Sequence, residues 1–209
     1  MNDKFWDLKK EKQDSMIGSA LKVFALNGFS HASTDEIVAE ASVSKGLLFH
    51  YFYSKAGLYS FLIEYCARFA VIELNSELRR KEALPFFELA RALTRAEASS
   101  MRRYPYLMLF LERAKADEAV SEQDQNSLEL LDARLLELFD ASILPDPMTS
   151  SDAERISGML RLIRTDTAAS LLRSGSFTPE RYIAAVSESI LFFEKFYTAI
   201  RGSQSHCDA

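Results

Sequence analysis

A short segment near the N-terminus carries side chains whose types and spacing suit contacts with a nucleic acid. Lys45 can donate to a phosphate oxygen or to the acceptor edge of guanine, and Gly46 beside it lets another molecule approach the backbone closely. Leu47 offers apolar surface for a thymine methyl group, Phe49 a flat face for a sugar or base, and His50 a donor. Such groups at the start of one helix could read the major groove of DNA.

The sequence lacks the motifs of common enzymes and metal sites. It contains no Gly-rich phosphate loop, no His-x-x-x-His, no Cys-x-x-Cys and no Gly-x-Ser-x-Gly. His31, His50 and His206 are too scattered along the chain for a metal cluster. Cys66 lies in an apolar helical pattern and Cys207 in a polar tail, so we expect two free thiols. We therefore expect no catalytic residue, no metal and no cofactor.

Three short helices are predicted to position the reading segment. The first spans about residues 10–27, with apolar residues at the spacing of one helical face. Gly28 suits the left-handed position that ends a helix, and Phe29 can fold back on Phe24 as the apolar contact of a Schellman cap.

A second helix is predicted from Ser33, whose hydroxyl forms a capping box with Glu36, to about Ala41. Ser44 caps a third helix after a gap of about three residues, as in a helix-turn-helix. The inward faces of these helices would form a small core from Ile37, Ala41, Val43, Leu48 and Phe52.

The sequence SKGLLFHYFYSKAGL of residues 44–58 resembles the recognition-helix segment of TetR-family repressors. The preceding Asn-Gly-Phe of residues 27–29 and Ser-Thr-x-x-Ile-Val of residues 33–38 also match that family, so the resemblance covers about residues 12–60. It implies that Thr34, Tyr51 and Lys55 clamp phosphates. The candidate DNA-binding residues are thus Thr34, Ser44, Lys45, Gly46, Leu47, Phe49, His50, Tyr51 and Lys55.

Some of these residues have a second interpretation, and others depart from the family pattern. Tyr51 could pack in the core instead of binding phosphate, and His50 could simply be solvated. Gly57 stands where the family usually has an acidic residue, which predicts a weaker start of the fourth helix by up to about 1 kcal/mol. Leu47 and Phe49 replace the Thr and Tyr that are common in the family, so the target sequence cannot be carried over.

The remaining chain predicts a larger helical body. A long fourth helix runs to about Arg80, and further helices are expected at about 84–102, 105–118 (with Pro105 in the first turn), 122–143, 151–174 and 179–201. The fold class is therefore all-α. We expect a helix-turn-helix domain over residues 1–54, a ligand-binding and dimerisation domain over 55–201, and a flexible tail over 202–209.

Aromatic and Met residues concentrate on the helices that would enclose a pocket in a TetR-like body. The candidate effector-binding residues are Phe61, Tyr65, Phe69, Met101, Tyr104, Met108, Phe110 and Arg113, and plain core packing is the alternative for each. Polar anchors for an effector could also come, in no ranked order, from Arg95, Arg102, Glu112 and Asp166.

The last helix has an apolar stripe wide enough to cover two faces, one for its own body and one for a second copy. With the preceding helix it predicts an isologous four-helix interface. The candidate dimer residues are Ile163, Leu171, Val186, Ile190, Phe193 and Tyr197.

Charge leaves DNA binding open. The net charge is −5, but residues 1–55 carry seven Lys and seven acidic groups, so all net acidity lies in the body. The polar N-terminus and the short apolar runs predict a cytoplasmic protein without a membrane segment. These patterns predict a homodimeric regulator, released from a palindromic operator by a small, largely apolar effector. A helical protein-interaction adaptor without DNA binding is the alternative.

Overall fold

The computed structural model of the protein describes residues 3–78, 83–118 and 120–204. Within those ranges the chain is helical, which confirms the all-α fold class. A 3₁₀ helix, Asp3–Asp7, precedes nine α-helices in the described residues. These are α1 (Lys10–His31), α2 (Thr34–Ala41), α3 (Lys45–Phe52), α4 (Lys55–Leu78), α5 (Phe86–Arg103), α6 (Leu107–Ala114), α7 (Glu122–Asp140), α8 (Ser150–Arg173) and α9 (Pro179–Gln204).

Several helices differ from their predicted bounds, and α7 ends at Asp140, three residues before its predicted end. Helix α1 continues to His31, because the chain bends at Gly28 and then resumes a helical turn. Helix α6 begins at Leu107 and ends at Ala114, so Pro105 lies in the turn before the helix and not in its first turn. The predicted end of α4 near Arg80 falls outside the described residues. Helix α9 extends to Gln204, three residues beyond its predicted end at residue 201, so the predicted tail begins as helix; residues 205–209 lie outside the described part.

The bend in α1 combines an unusual backbone conformation with a side-chain anchor. Gly28 has φ 72° and ψ 174°, a region that is essentially reserved for glycine. The predicted contact is present, since the rings of Phe24 and Phe29 stack with centroids 6.4 Å apart. The backbone N–H of Phe29 donates to the Asp117 carboxylate at 2.9 Å, so the bend is tied to the segment after α6.

The chain divides into two compact units. The first comprises Met1–Val71 with Ser100–Asp132, and the second Ile72–Ser99 with Ala133–Ala209. In the first unit, α1 packs against α2 and α6, with Ile17, Leu21, Phe24, Leu48 and Phe52 among its buried core residues. Helices α4, α5 and α7 each contribute one part to each unit. The predicted domain boundary at residue 54 remains a prediction.

The second unit has its own apolar core. Part of it is a cluster of Leu74, Leu78, Leu84, Leu89, Ala92, Leu93 and Ala96, against which Leu135, Leu138 and Phe139 pack. A short parallel bridge joins Pro85 to Ile143, and α8 packs along α9. In the described part of the chain, no helix combines the length and the hydropathy needed to cross a bilayer.

We expect Gly28→Ala to destabilise the protein by about 1 to 3 kcal/mol, because alanine would be strained at this backbone conformation. The added Cβ would also lie 2.9 Å from Arg113 Nε. Gly18→Ala is the matched control. It lies in the same helix with no atom within 4 Å of the added Cβ, and should stabilise by about 0.5 to 1 kcal/mol. Urea unfolding measures both, and equal effects of the two substitutions would contradict the prediction.

Candidate nucleic-acid interface

Helices α2 and α3 are each started by a serine cap. Ser33 Oγ accepts from the Glu36 backbone N–H at 3.5 Å, and Ser44 Oγ accepts from the Leu47 N–H at 3.1 Å. Ser42 adopts a left-handed conformation (φ 53°, ψ 45°) in the turn between the helices. The sequence therefore predicted both serine caps and the short turn correctly, although Ser33 forms only its own half of the predicted capping box with Glu36. The two helices and their connection form a helix-turn-helix.

Helix α3 has one buried and one exposed side. Leu48, Tyr51 and Phe52 are buried, which fixes the opposite side toward solvent. That opposite side carries most of the predicted DNA contacts: Lys45, Gly46 and His50 are exposed, as is the cap Ser44, while Leu47 and Phe49 are half-buried. Thr34, at the first position of α2, is also half-buried. Sequence reasoning missed Tyr53, which follows α3 with 67% of its surface exposed.

Acidic side chains engage two lysines of this domain. Lys45 Nζ lies 2.8 Å and 3.1 Å from the two carboxylate oxygens of Asp35, at the surface. Lys22 pairs with Glu40, and this hydrogen bond raises the pKa of the Lys22 ammonium. A phosphate that binds Lys45 would therefore compete with a carboxylate already in place.

Lys55 and Tyr51, predicted as phosphate clamps, both have contacts within the protein. Lys55 Nζ donates to the backbone carbonyls of Ser30 (3.3 Å) and Ala32 (3.0 Å) and lies 4.7 Å from the ring centroid of Phe29. The ring of Tyr51 is 8% exposed and packs edge-on against Phe5 at 5.6 Å. Both residues thus have a structural role, and their phosphate contacts remain predictions.

The turn between α3 and α4 explains why glycine stands at position 57. Tyr53 has a positive φ of 65°, and the Ser54 N–H donates to the Phe52 carbonyl at 2.7 Å, which closes a tight three-residue turn. A Cβ atom at position 57 would lie 2.2 Å from that same carbonyl oxygen. Ser54 Oγ still accepts from the Gly57 N–H at 3.0 Å, so α4 keeps one half of its cap.

The predicted effector-binding residues lie in the first unit and pack mostly against one another. Met101, Tyr104 and Phe110 are buried, Phe61, Tyr65, Phe69 and Met108 are half-buried, and Arg113 is exposed. The rings of Tyr65 and Phe69 are parallel, with Tyr104 edge-on to both. These contacts fit core packing, and an effector site here remains a prediction.

The second unit contains cavities that sequence reasoning did not identify. The larger, about 550 Å³, lies between the end of α7 and the start of α8 and is lined in part by Leu136, Phe139, Ser142 and Ala153. A hollow of about 260 Å³ on α8 and α9 is lined by Ile156, Met159, Phe192, Phe193, Phe196 and Tyr197, with Asp152 and Arg155 at its edge. None of the predicted effector-binding residues lines either of these two spaces.

The second unit also contains a buried polar group, formed by Arg164, Glu97 and Tyr182, that was not predicted from the sequence. Arg164 is 6% exposed, and its Nε donates to Glu97 Oε1 at 3.0 Å. The Tyr182 hydroxyl donates to Glu97 Oε2 at 2.5 Å, and burial raises the pKa of Tyr182 well above its usual value. Nη1 of Arg164 is also buried, and the described residues provide no acceptor for it.

The predicted dimer residues divide into two groups. Ile163, Leu171, Phe193 and Tyr197 are half-buried, whereas Val186 and Ile190 are fully buried inside the protomer and leave no surface for a partner. Helix α9 is apolar on two sides, and helical spacing alone did not tell which one faces inward. The large apolar side chains exposed on α8 and α9 are Met159, Leu162, Leu191, Phe192 and Phe196.

The described residues include no group of three or more His, Cys, Asp or Glu side chains placed to hold a metal ion. Cys66 is a free, buried thiol whose pKa is raised by burial. The fold and the exposed face of α3 define a helix-turn-helix protein with an all-helical body.

Comparison with known proteins finds similarity in the helix-turn-helix region. Residues 17–60 match the family described as "Bacterial regulatory proteins, tetR family". An uncharacterized HTH-type transcriptional regulator, YuxN of Bacillus subtilis (strain 168), is 41% identical over 56 residues. That match covers 27% of this chain and only 19% of YuxN.

Solved structures share the fold over nearly the whole chain. A TetR family regulator from Chloroflexus aurantiacus J-10-FL has a TM-score of 0.61 at 20% identity, covering 93% of this chain and 96% of that one. A putative regulator of this family from Shewanella sp. PV-4 has a TM-score of 0.56 at 20% identity, with 91% and 98% covered. LfrR of Mycobacterium smegmatis, solved with proflavine, has a TM-score of 0.57 at 15% identity, with 87% and 96% covered. Residues 17–60 are thus similar to the DNA-binding domain of the tetR family, and the chain as a whole has the fold of these solved structures.

We expect Gly57→Ala to destabilise the protein by about 1 to 3 kcal/mol, because the added methyl group collides with the Phe52 carbonyl. Gly46→Ala is the control within the neighbouring helix, since its Cβ meets no atom within 4 Å, and it should be neutral or slightly stabilising. Thermal unfolding compares the two. A stable Gly57→Ala protein with an unshifted transition would show that this turn relaxes freely.

Proposed function

We propose that this protein is a transcriptional regulator of the TetR family. It would act as a dimeric repressor, which binds a near-palindromic operator through α3 and is released by a small, largely apolar effector. The exposed face of α3, with Lys45, Gly46 and His50 turned to solvent beside half-buried Phe49, is the observation that carries the proposal. In a helix-turn-helix the N-terminal residues of the second helix lie nearest the base edges, and Lys45 and Gly46 occupy that position.

The Lys45–Asp35 pair bears on how strongly this surface attracts DNA. Both side chains are exposed, so the pair itself contributes little to stability. Its effect is on the local field, since Asp35 offsets the cation that would meet a phosphate or guanine. The nonspecific attraction of this surface to phosphate would then be weaker than with an unpaired lysine. A larger share of the binding free energy would come from specific contacts with the bases.

Binding to a pool of random duplexes at two salt concentrations tests DNA recognition. We expect a palindromic sequence to be enriched, Lys45→Ala to lower its affinity about tenfold or more, and its salt dependence to decrease by about one unit of slope. Asp35→Asn is the reciprocal variant, and should raise affinity because the competing carboxylate is gone. If no duplex is retained even at low salt, DNA binding fails and the adaptor alternative stands.

Dimerisation is supported by the exposed apolar surface of α8 and α9. Leu162 and Phe192 are 63% and 68% exposed in the single protomer, and Phe192 lines the apolar hollow described above. A large exposed apolar surface is typical of a protein interface. We assign it to a second copy, with α8 and α9 of each subunit forming an isologous four-helix contact. Two copies of α3 would then lie about 34 to 36 Å apart, or a multiple of one DNA turn.

Phe192→Asp should convert the dimer to a monomer, because a carboxylate would be desolvated at the centre of this surface. Operator affinity should fall steeply, since each half-site would be bound without the other. Leu130→Asp is the matched control, as Leu130 is 55% exposed on α7. Light scattering measures the mass of both variants. A Phe192→Asp dimer of unchanged affinity would place the interface elsewhere.

The effector is proposed to bind among apolar side chains of the body and to shift α4, and with it the separation of the two α3 helices. Such coupling requires the effector to favour the state that does not bind DNA, by about 1 to 3 kcal/mol. One support is the larger cavity, where Leu136, Phe139 and Leu144 offer apolar surface beside serine and carboxylate side chains. A separate support is Nη1 of Arg164, a buried donor for which the described residues provide no acceptor. The neighbour LfrR binds proflavine, which makes that planar aromatic molecule a first probe.

A further inference from the structure

The 3₁₀ helix at the N-terminus, Asp3–Asp7, inserts an aromatic side chain between α3 and α4. We call residues 3–8 the N-terminal arm. Phe5 is fully buried, with ring centroids 5.6 Å from Tyr51, 5.0 Å from Phe52 and 5.7 Å from Phe61. Two of these partners belong to α3 and one to α4, so a single side chain of the arm touches both helices.

The arm is tied down by hydrogen bonds to its backbone. Gln13 of α1 is 5% exposed, and its side-chain amide donates to the carbonyls of Trp6 and Leu8, each at 2.9 Å. The Leu8 N–H donates to the Phe5 carbonyl at 3.2 Å. A buried amide that makes two such bonds holds the arm in one place.

The contacts of the arm continue along α4. The Trp6 ring lies 5.9 Å from Phe61 and 5.8 Å from Tyr65. The Tyr65 hydroxyl lies 3.3 Å from that of Tyr104, which donates to Asp14 of α1 at 2.5 Å. The arm is thus one end of a chain of aromatic and polar contacts that joins α3, α4 and α1.

Helix α3 depends on such contacts for its position. Eight residues are too few for a helix to be stable alone, so the packing of its buried side determines where its exposed side lies. Tyr51 and Phe52 form much of that buried side, and both pack on Phe5.

We propose that Phe5 is a positioning residue for DNA binding: it fixes α3 on α4 and so sets where Lys45, Gly46 and His50 meet the groove. This inference rests on the proposed function, because it assumes that α3 reads DNA. Phe5 itself need not touch DNA. Its effect passes through Tyr51 and Phe52.

The test compares Phe5→Ala with Phe5→Leu in the full-length protein. We expect Phe5→Ala to weaken binding to the enriched operator about tenfold or more, with binding to random duplex changed less than about threefold. Phe5→Leu should restore most of the loss, because an apolar side chain again fills the site. Amide hydrogen exchange over residues 45–52 should speed up in Phe5→Ala and return toward the wild-type rate in Phe5→Leu.

Trp6 is the single tryptophan of the chain, so its fluorescence reports on the arm in the absence of DNA. It is 43% exposed on the arm, and release of the arm should shift its emission to longer wavelength. Phe86→Ala is the control, since Phe86 is equally buried but lies in the second unit. It should lower the melting temperature without changing exchange over residues 45–52.

The outcomes separate the two proposals. If wild-type protein binds no duplex, the proposed function fails, while exchange over residues 45–52 and Trp6 emission still decide whether the arm positions α3. If Phe5→Ala binds the operator normally and exchange over residues 45–52 is unchanged, the positioning role is overturned. Should Phe5→Ala fail to fold, Gln13→Ala removes the two hydrogen bonds to the arm but keeps the apolar core, and should show the same changes at smaller amplitude.

Discussion

A recognition helix of eight residues cannot hold its own position, and the architecture of the first unit follows from that constraint. The Ser44 cap satisfies the start of α3, and a tight turn at Tyr53 ends it. Leu48 and Phe52 bury its inner side. The exposed groups at its start are placed by these neighbours and not by any property of their own.

Local signals in the sequence predicted what local chemistry determines. Ser33 and Ser44 cap helices where hydroxyls precede helical patterns, and Gly28 with Phe29 marks the bend in α1. Long, strongly periodic helices such as α4 were placed correctly over their described residues for the same reason. These features depend on side chains within a few positions of one another.

What the sequence could not predict depends on contacts between distant residues. The N-terminus MNDKFWD appeared only polar, yet Phe5 is fully buried because α3 and α4 meet around it. The inward side of α9 could not be chosen, since both of its sides are apolar, and Val186 and Ile190 turned out to face inward. Gly57 looked like a weak helix start, but the carbonyl that requires it lies across the turn. The Arg164–Glu97 pair joins residues 67 positions apart, beyond the reach of helical periodicity.

Helix α1 draws its partners from two distant parts of the sequence: Asp14 accepts from Tyr104, and the Phe29 N–H donates to Asp117. The unit that contains the recognition helix therefore includes residues 100–132 as well as the first 71. A chimaera that joined only the first 54 residues to the body of another protein would lose the hydrogen bond between Asp14 and Tyr104. It would also lose the bond from the Phe29 N–H to Asp117, which holds the bend at Gly28. In evolutionary terms, an exchange of operator specificity between relatives should proceed by substitution within α3, and not by transplanting the N-terminal segment as a cassette.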